Sequence, residues 1–298
     1  MNPKSGVLSA VIAFVLWGIL PVFWKQLAFL PPLTIVCHRT IWGLLLLALV
    51  LWFRKGWTEA LQSLRDPRSL GWHTLSGLLL AGNWLLYIWA TLNERILEGA
   101  LGYYLNPFFN MLFGFLWFGE RHNRTQLIVI GMALAGVALQ FPAISGWPWI
   151  AIVLAVTFSL YSVVKKRSRL PSLSGLSVET LLMAPFATAW LLLHPSNALP
   201  SDQPTFALLL LVAIGAATML PLFFFGHAAR SISLTTLGIL QFIGPTIQFA
   251  IGWLLYHEPM PPLRLASFAL IWAAVALYTI DSRKPKTIKT PGNLQSNI

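Results

Sequence analysis

Charge is what this chain has least of. Only 10% of its 298 residues are Asp, Glu, Lys or Arg and 57% are hydrophobic, whereas an ordinary soluble domain is about 25% charged. A protein of this size covers its outside with polar groups, which this composition cannot supply, so the surplus apolar surface needs lipid as its solvent. Acidic residues are scarcest, nine against twenty basic ones, for a formal charge of +11. The excess does not indicate a nucleic-acid partner, because the basic residues lie in short runs between apolar stretches with no zinc or RNA-binding motif beside them. The lone Cys37 excludes an intrachain disulfide and says nothing of redox compartment. HExxH, G-x-S-x-G and a Walker motif are all missing, so metal-assisted, triad and nucleotide hydrolysis lack their parts, and no metal or cofactor is expected.

What the chain does have is long apolar runs. Stretches of roughly 20 residues broken by Pro, Gly or charge fall at 7–24, 33–53, 72–92, 99–118, 126–141, 147–163, 175–193, 206–226, 236–256 and 264–281. The first is too long for the core of a signal peptide and no A-x-A site follows it, so it is read as a span. These runs predict an all-α membrane protein of ten transmembrane helices, followed by a disordered polar tail over 282–298. Basic residues concentrate on cytoplasmic loops. With the N-terminus inside, sixteen of the twenty Lys and Arg fall on the cytoplasmic side, including Lys165, Lys166, Arg167 and Arg169. Lys25, Arg95 and Arg264 lie opposite, and Arg39 lies within a span. Both termini are therefore expected in the cytoplasm.

The chain also repeats itself. Adding 138 takes Pro107 to Pro245, Asn110 to Gln248, Gly114 to Gly252, Glu120 to Glu258 and Ala135–Leu139 to Ala273–Leu277. Earlier in each half an offset of 141 pairs Lys25 with Lys166 and His38 with Glu179. Two five-helix units, 1–143 and 144–281, follow. An odd number of spans turns the second upside down relative to the first, the inverted-repeat plan of many secondary transporters.

These halves, with NPFFNMLFGFLWFGER and GPTIQFAIGWLLYHEP in matching places, resemble the EamA-type drug/metabolite transporters. The opening WGILPVFWKQL, the pair His38–Arg39, the runs NWLLYIWA and EGALGYYLNP, and GLSVETLLMAP from Gly175 look like the RarD-like permeases within that superfamily. The resemblance covers nearly the whole chain except the tail. It implies the EamA fold and a bacterial inner-membrane permease, of a group often labelled chloramphenicol-sensitive, and it supplies no substrate.

Polar side chains inside spans are the candidate site. His38, Arg39 and Glu179 are the clearest: they form either a network that holds a proton or an anionic solute group, or a structural ion pair. Tyr103, Asn106, Pro107 and Asn110 share one helix face at spacings of three and four, and Gln241, Gly244, Pro245 and Gln248 share the corresponding face of the repeat partner. Each proline removes a backbone hydrogen bond, so Pro107 and Pro245 are expected helix breaks beside the pathway, with interhelical polar glue as the competing reading. Asn83 and Tyr87, four apart, add a second stripe, and Trp17 lies in the first family segment. For Trp residues generally, a membrane-surface belt is the ordinary explanation. Lys25 is expected to snorkel at the outer boundary, and Glu120 and Glu258 to serve the turns after their helices, near a helix N-terminus.

The expected function is secondary transport, in the export direction, of a small metabolite or drug-like solute by alternating access, in a lipid bilayer, by a monomer or homodimer. The alternative from another class is a membrane-embedded enzyme or flippase acting on a lipid. Turnover of lipid without movement of solute separates the two.

Overall fold

A computed structural model describes residues 3–27, 30–92, 95–140, 147–194, 204–257 and 262–282. The tail beyond Ser282, Glu258 and the side chain of Lys25 lie outside the described residues. Every regular element among those described is helical: α1 Pro3–Lys25, α2 Pro32–Phe53, α3 Trp57–Arg65, α4 Pro67–Leu92, α5 Ile96–Phe118, α6 Arg124–Ala138, α7 Trp149–Arg167, α8 Ser172–Leu193, α9 Pro204–Ser231, α10 Leu234–Gln241, α11 Ile243–Ala250 and α12 Pro262–Ser282. A π-helical turn, Ile251–Leu255, continues α11.

The described helices other than α3 fall along the apolar stretches read from the sequence, and α3 is an addition. By length and composition seven elements are able to cross a membrane: α1, α2, α7, α8, α9, the Leu234–Leu255 stretch and α12. Of the other three, α4 and α5 are longer, at 26 and 23 residues, and α6 has 15. Large apolar side chains such as Leu8, Phe53, Leu116, Phe186, Leu209 and Leu254 are exposed on many different helices. A surface of that kind is stable only against lipid.

The helix α3 lies where only hydrophilic loop was expected. It buries Ala60 and Ser63, and Ala60 packs with Leu51 and Val178 of α2 and α8. Ser174 of α8 donates to Glu59 at 2.6 Å.

Packing is densest between helices that are distant in sequence: α5 with α7, α1 with α9, α6 with α12, and α2 with both α8 and α9. Within lipid no hydrophobic force drives helices together, so close approach depends on small residues. A Cβ added at Gly238 of α10 would lie 2.8 Å from the Pro107 carbonyl oxygen of α5. Only glycine allows that crossing.

The two proline helices differ. Helix α5 runs unbroken through Pro107. The stretch bearing Pro245 is interrupted at Phe242, between α10 and α11. Pro245 has no N–H for the carbonyl of Gln241, four residues back, and the interruption falls beside that carbonyl. Both stretches end in a left-handed residue, Gly119 at φ 63° and His257 at φ 52°. Glycine adopts this conformation freely, whereas a side chain pays about 1–2 kcal/mol. His257→Gly is therefore expected to raise stability by up to about 1 kcal/mol after the added flexibility of the unfolded chain is counted. Thermal unfolding in detergent measures this.

Candidate functional site

One end of the bundle is tied together by polar contacts. Glu120, at the end of α5, accepts from the backbone N–H groups of Leu234 and Thr235 at 2.7 and 2.9 Å and from the Thr235 hydroxyl at 2.7 Å. The carboxylate thus caps α10, a helix more than a hundred residues away, where the exposed N–H groups and helix dipole favour negative charge. The next helix in sequence, α6, is capped by its own Asn123 and Gln126. His122 reaches Thr235 at 3.1 Å. Lys166 of α7 lies 4.0 Å from Glu120 and donates to the Ile232 carbonyl, and Arg230 of α9 donates to the carbonyl of Leu170. Ser5 of α1 meets His227 of α9 at 3.3 Å. The starts of α1, α8 and α10 and the ends of α5, α7 and α9 meet here.

Further along the helices from that end lies a cavity of about 150 Å³. Phe14, Trp17, Leu20 and Pro21 of α1 form one side; Trp84 and Tyr87 of α4, Tyr103 of α5 and Phe158 of α7 form another. Gln241, Gly244, Pro245 and Gln248 complete it across the break between α10 and α11. The Tyr87 and Tyr103 rings meet edge-on with centroids 5.2 Å apart, and Trp17 meets Phe158 at 5.8 Å. Gln248 donates to the Trp17 backbone carbonyl at 3.2 Å. Aromatic walls with a few directed amide and hydroxyl groups suit an amphiphilic small molecule.

The remaining expected site residues sit behind this surface. Asn110 donates to Gln241 Oε1 at 2.9 Å, joining α5 to α10. Asn83 donates to the Leu154 carbonyl and to the Thr157 hydroxyl of α7 at 2.8 and 2.9 Å. The backbone carbonyl of Asn106 accepts from Ser159 at 3.1 Å.

The charged residues regroup. Glu179 is 2% exposed and takes Lys165 Nζ on both oxygens, at 2.7 and 2.9 Å, while Ser76 donates at 2.7 Å and His73 Nδ1 stands 3.2 Å away. Arg39, 5% exposed, instead lays its guanidinium 4.0 Å from the centre of the Trp84 ring. The cation that Glu179 holds directly is thus Lys165, while the Arg39 guanidinium packs on Trp84. Arg39 and Glu179 do line a common smaller cavity of about 50 Å³. His38 is buried next to Arg39 in sequence and is not among the residues lining either cavity.

Comparison with known proteins decides what this bundle is. The EamA-like transporter family model matches residues 4–141. An uncharacterized transporter of Bacillus subtilis, YojE, is 39% identical, over 95% of this chain and 96% of the relative. The chain belongs to the EamA-like transporter family. Protein RarD of Streptomyces exfoliatus is 37% identical over 94% of this chain and 89% of its own, and protein RarD of Escherichia coli K12 is 34% identical over 94% and 95%. A solved structure, described only as the crystal structure of a protein, superposes with a TM-score of 0.74 over 95% of this chain and all of the other. At 23% identity that likeness speaks for the fold alone. The chain is therefore a multi-pass bacterial membrane transporter with the EamA fold.

Sequence reasoning missed three parts of this transporter's interior. Lys165 was absorbed into a basic run at a helix end, yet it is 3% exposed. His73 and Ser76, three apart on α4, were passed over. The signal for all three was Glu179 itself, since a carboxylate deep in a span requires donors and a cation.

Proposed function

We propose that this EamA-family transporter is a secondary exporter of a small amphiphilic solute, working by alternating access between two inverted five-helix units, 1–143 and 144–281. The observation that carries the reading is the 150 Å³ cavity, whose lining comes from both units. It lies away from the tied end of the bundle, so one approach is closed while the other holds the solute chamber. In this reading the tied end is cytoplasmic, as the basic-residue bias requires, and the chamber faces outward. The helix pairings support the inverted relation. Exchanging each helix for its repeat counterpart turns α1–α9 into α7–α4 and leaves α2–α8 and α6–α12 as themselves, and all these pairs are packed. The broken α10–α11 stretch places irregular backbone only where it borders a cavity, as lipid demands.

Expected site residues then sort by role. Trp17, Tyr87, Tyr103, Gln241 and Gln248 touch the solute; Asn83, Asn106 and Asn110 fix the helices that carry them. Gln248→Ala is expected to lower flux about tenfold, the worth of one good hydrogen bond, without changing insertion or melting temperature. Asn110→Ala is expected to lower flux and stability together, because it frees Gln241. Untargeted comparison of metabolites inside and outside cells with and without the gene, then uptake into vesicles containing the purified protein, tests the reading. Lipid turnover or flipping with no solute movement would replace it by the membrane-enzyme or flippase alternative.

A further inference from the structure

We propose that the solute carries an anionic group and that Arg39 is its counter-ion. This deepens the transport reading and rests on it.

Apart from histidines, three ionisable charged groups are buried among the described side chains: Arg39, Lys165 and Glu179. Two are cations and one is an anion. Glu179 already has Lys165 on both oxygens, with Ser76 and His73 beside it. Arg39 is left over: its Nε and Nη1 have no hydrogen-bond partner among the described residues. Between it and Glu179 lies the 50 Å³ cavity, which has room for a few water molecules but supplies no direct contact. A guanidinium removed from bulk water without an anion or a full set of acceptors is held at a high cost, unless another molecule completes it.

The direction of that missing partner follows from the aromatic walls. The face of Trp84 carries the Arg39 guanidinium, and Trp84 also lines the larger cavity. Tyr103 lies on the same lining as Trp84. Among the described residues that line the chamber, none is Asp, Glu, Lys or Arg. A cation entering would meet a positive potential and no carboxylate, and a neutral solute would leave the arginine as it is. An anion beside Tyr103 and the edge of Trp84 would lie within Coulomb reach of Arg39 in a medium of low dielectric. The six rings around it, Phe14, Trp17, Trp84, Tyr87, Tyr103 and Phe158, accommodate a flat apolar body. The ligand class is therefore an organic anion with a planar apolar portion.

The test uses the full-length protein in lipid nanodiscs, with tryptophan fluorescence as the readout because Trp17 and Trp84 line the chamber. Phenylacetate, phenylacetamide and phenethylamine share one ring and differ in charge. Phenylacetate is expected to bind at least about tenfold more tightly than the other two, a preference that Arg39→Gln reduces to within about twofold. Arg39→Lys, which keeps the charge and loses the planar fork, is expected to weaken phenylacetate about threefold and leave the amide unchanged. This variant carries the test should Arg39→Gln not fold. Absence of a saturable response to the acid, equal affinity for all three probes, or undiminished acid binding in the arginine variants overturns the proposal. A response to chloride in place of gluconate that depends on Arg39, with none to phenylacetate, also overturns it, in favour of an inorganic anion. Vesicle uptake keeps the two claims separate. An acid bound through Arg39 but never moved sinks the transport reading alone, while efficient carriage of the amine sinks the role of Arg39 alone.

Discussion

Replacing Glu179 with leucine is expected to cost about 3–5 kcal/mol, and replacing Lys165 with methionine in the same chain is expected to recover most of that loss. The single change strands an ammonium group that is 3% exposed, with its strongest acceptor gone. Ser76 loses its acceptor at the same time. The double change removes both charges and fills a similar volume with apolar atoms, so the desolvation cost of the pair disappears along with its attraction. Glu179→Gln should fall between, because the amide still accepts from Ser76 but cannot balance Lys165. Thermal unfolding of the four proteins of the cycle, in one detergent, gives the coupling directly. A loss in the double variant equal to the sum of the Glu179→Leu and Lys165→Met losses would mean that the two residues stabilise the bundle independently, contrary to the bidentate geometry.

Gly215→Val is expected to be comparably damaging for a purely steric reason. A Cβ at this position of α9 would stand 2.7 Å from the carbonyl carbon of Trp42, 2.8 Å from its oxygen and 2.9 Å from the nitrogen of Gly43. All three are backbone atoms of α2 and have no rotamer by which to withdraw. The helices must separate, losing the contacts around the crossing, which puts the cost at about 1–3 kcal/mol or more. Gly43→Ala is a useful contrast, since the nearest atoms to its new Cβ belong to the flexible side chain of Met219. Gly82→Ala, with nothing within 4 Å, should be neutral or mildly stabilising. Melting temperatures in that order, with Gly215→Val far below the rest, are the expected outcome; a Gly215→Val protein as stable as the parent would contradict the close crossing.

Hydropathy made the helices legible because lipid imposes its length on any segment that crosses it. The amphipathic α3 was invisible to that signal, since its apolar face covers only Ala60 and a few neighbours against α8. Spacing placed Tyr103, Asn106 and Asn110 on one face, yet those residues lie at different depths and meet different helices. Tyr103 reaches the chamber, Asn106 meets α7 through its backbone, and Asn110 meets Gln241. Which of several polar residues on a stripe faces a cavity depends on how neighbouring helices cross, and a single stripe does not encode that. The charged partners failed for a related reason. A run such as Lys165, Lys166 and Arg167 reads as one topological signal, but successive residues on a helix point about 100° apart. Lys165 therefore turns inward to Glu179, Lys166 turns toward Glu120, and Arg167 is left exposed.

The carboxylate of Glu120, clasping the first turn of α10, has a consequence for kinetics. If delivery requires that end of the bundle to part, the bonds that must break there are charge-assisted ones to main-chain N–H groups, none of which the solute ever touches. Affinity and turnover would then be set by separate groups of atoms, and a change at Glu120 would alter how often the protein cycles while leaving how tightly it holds its cargo untouched.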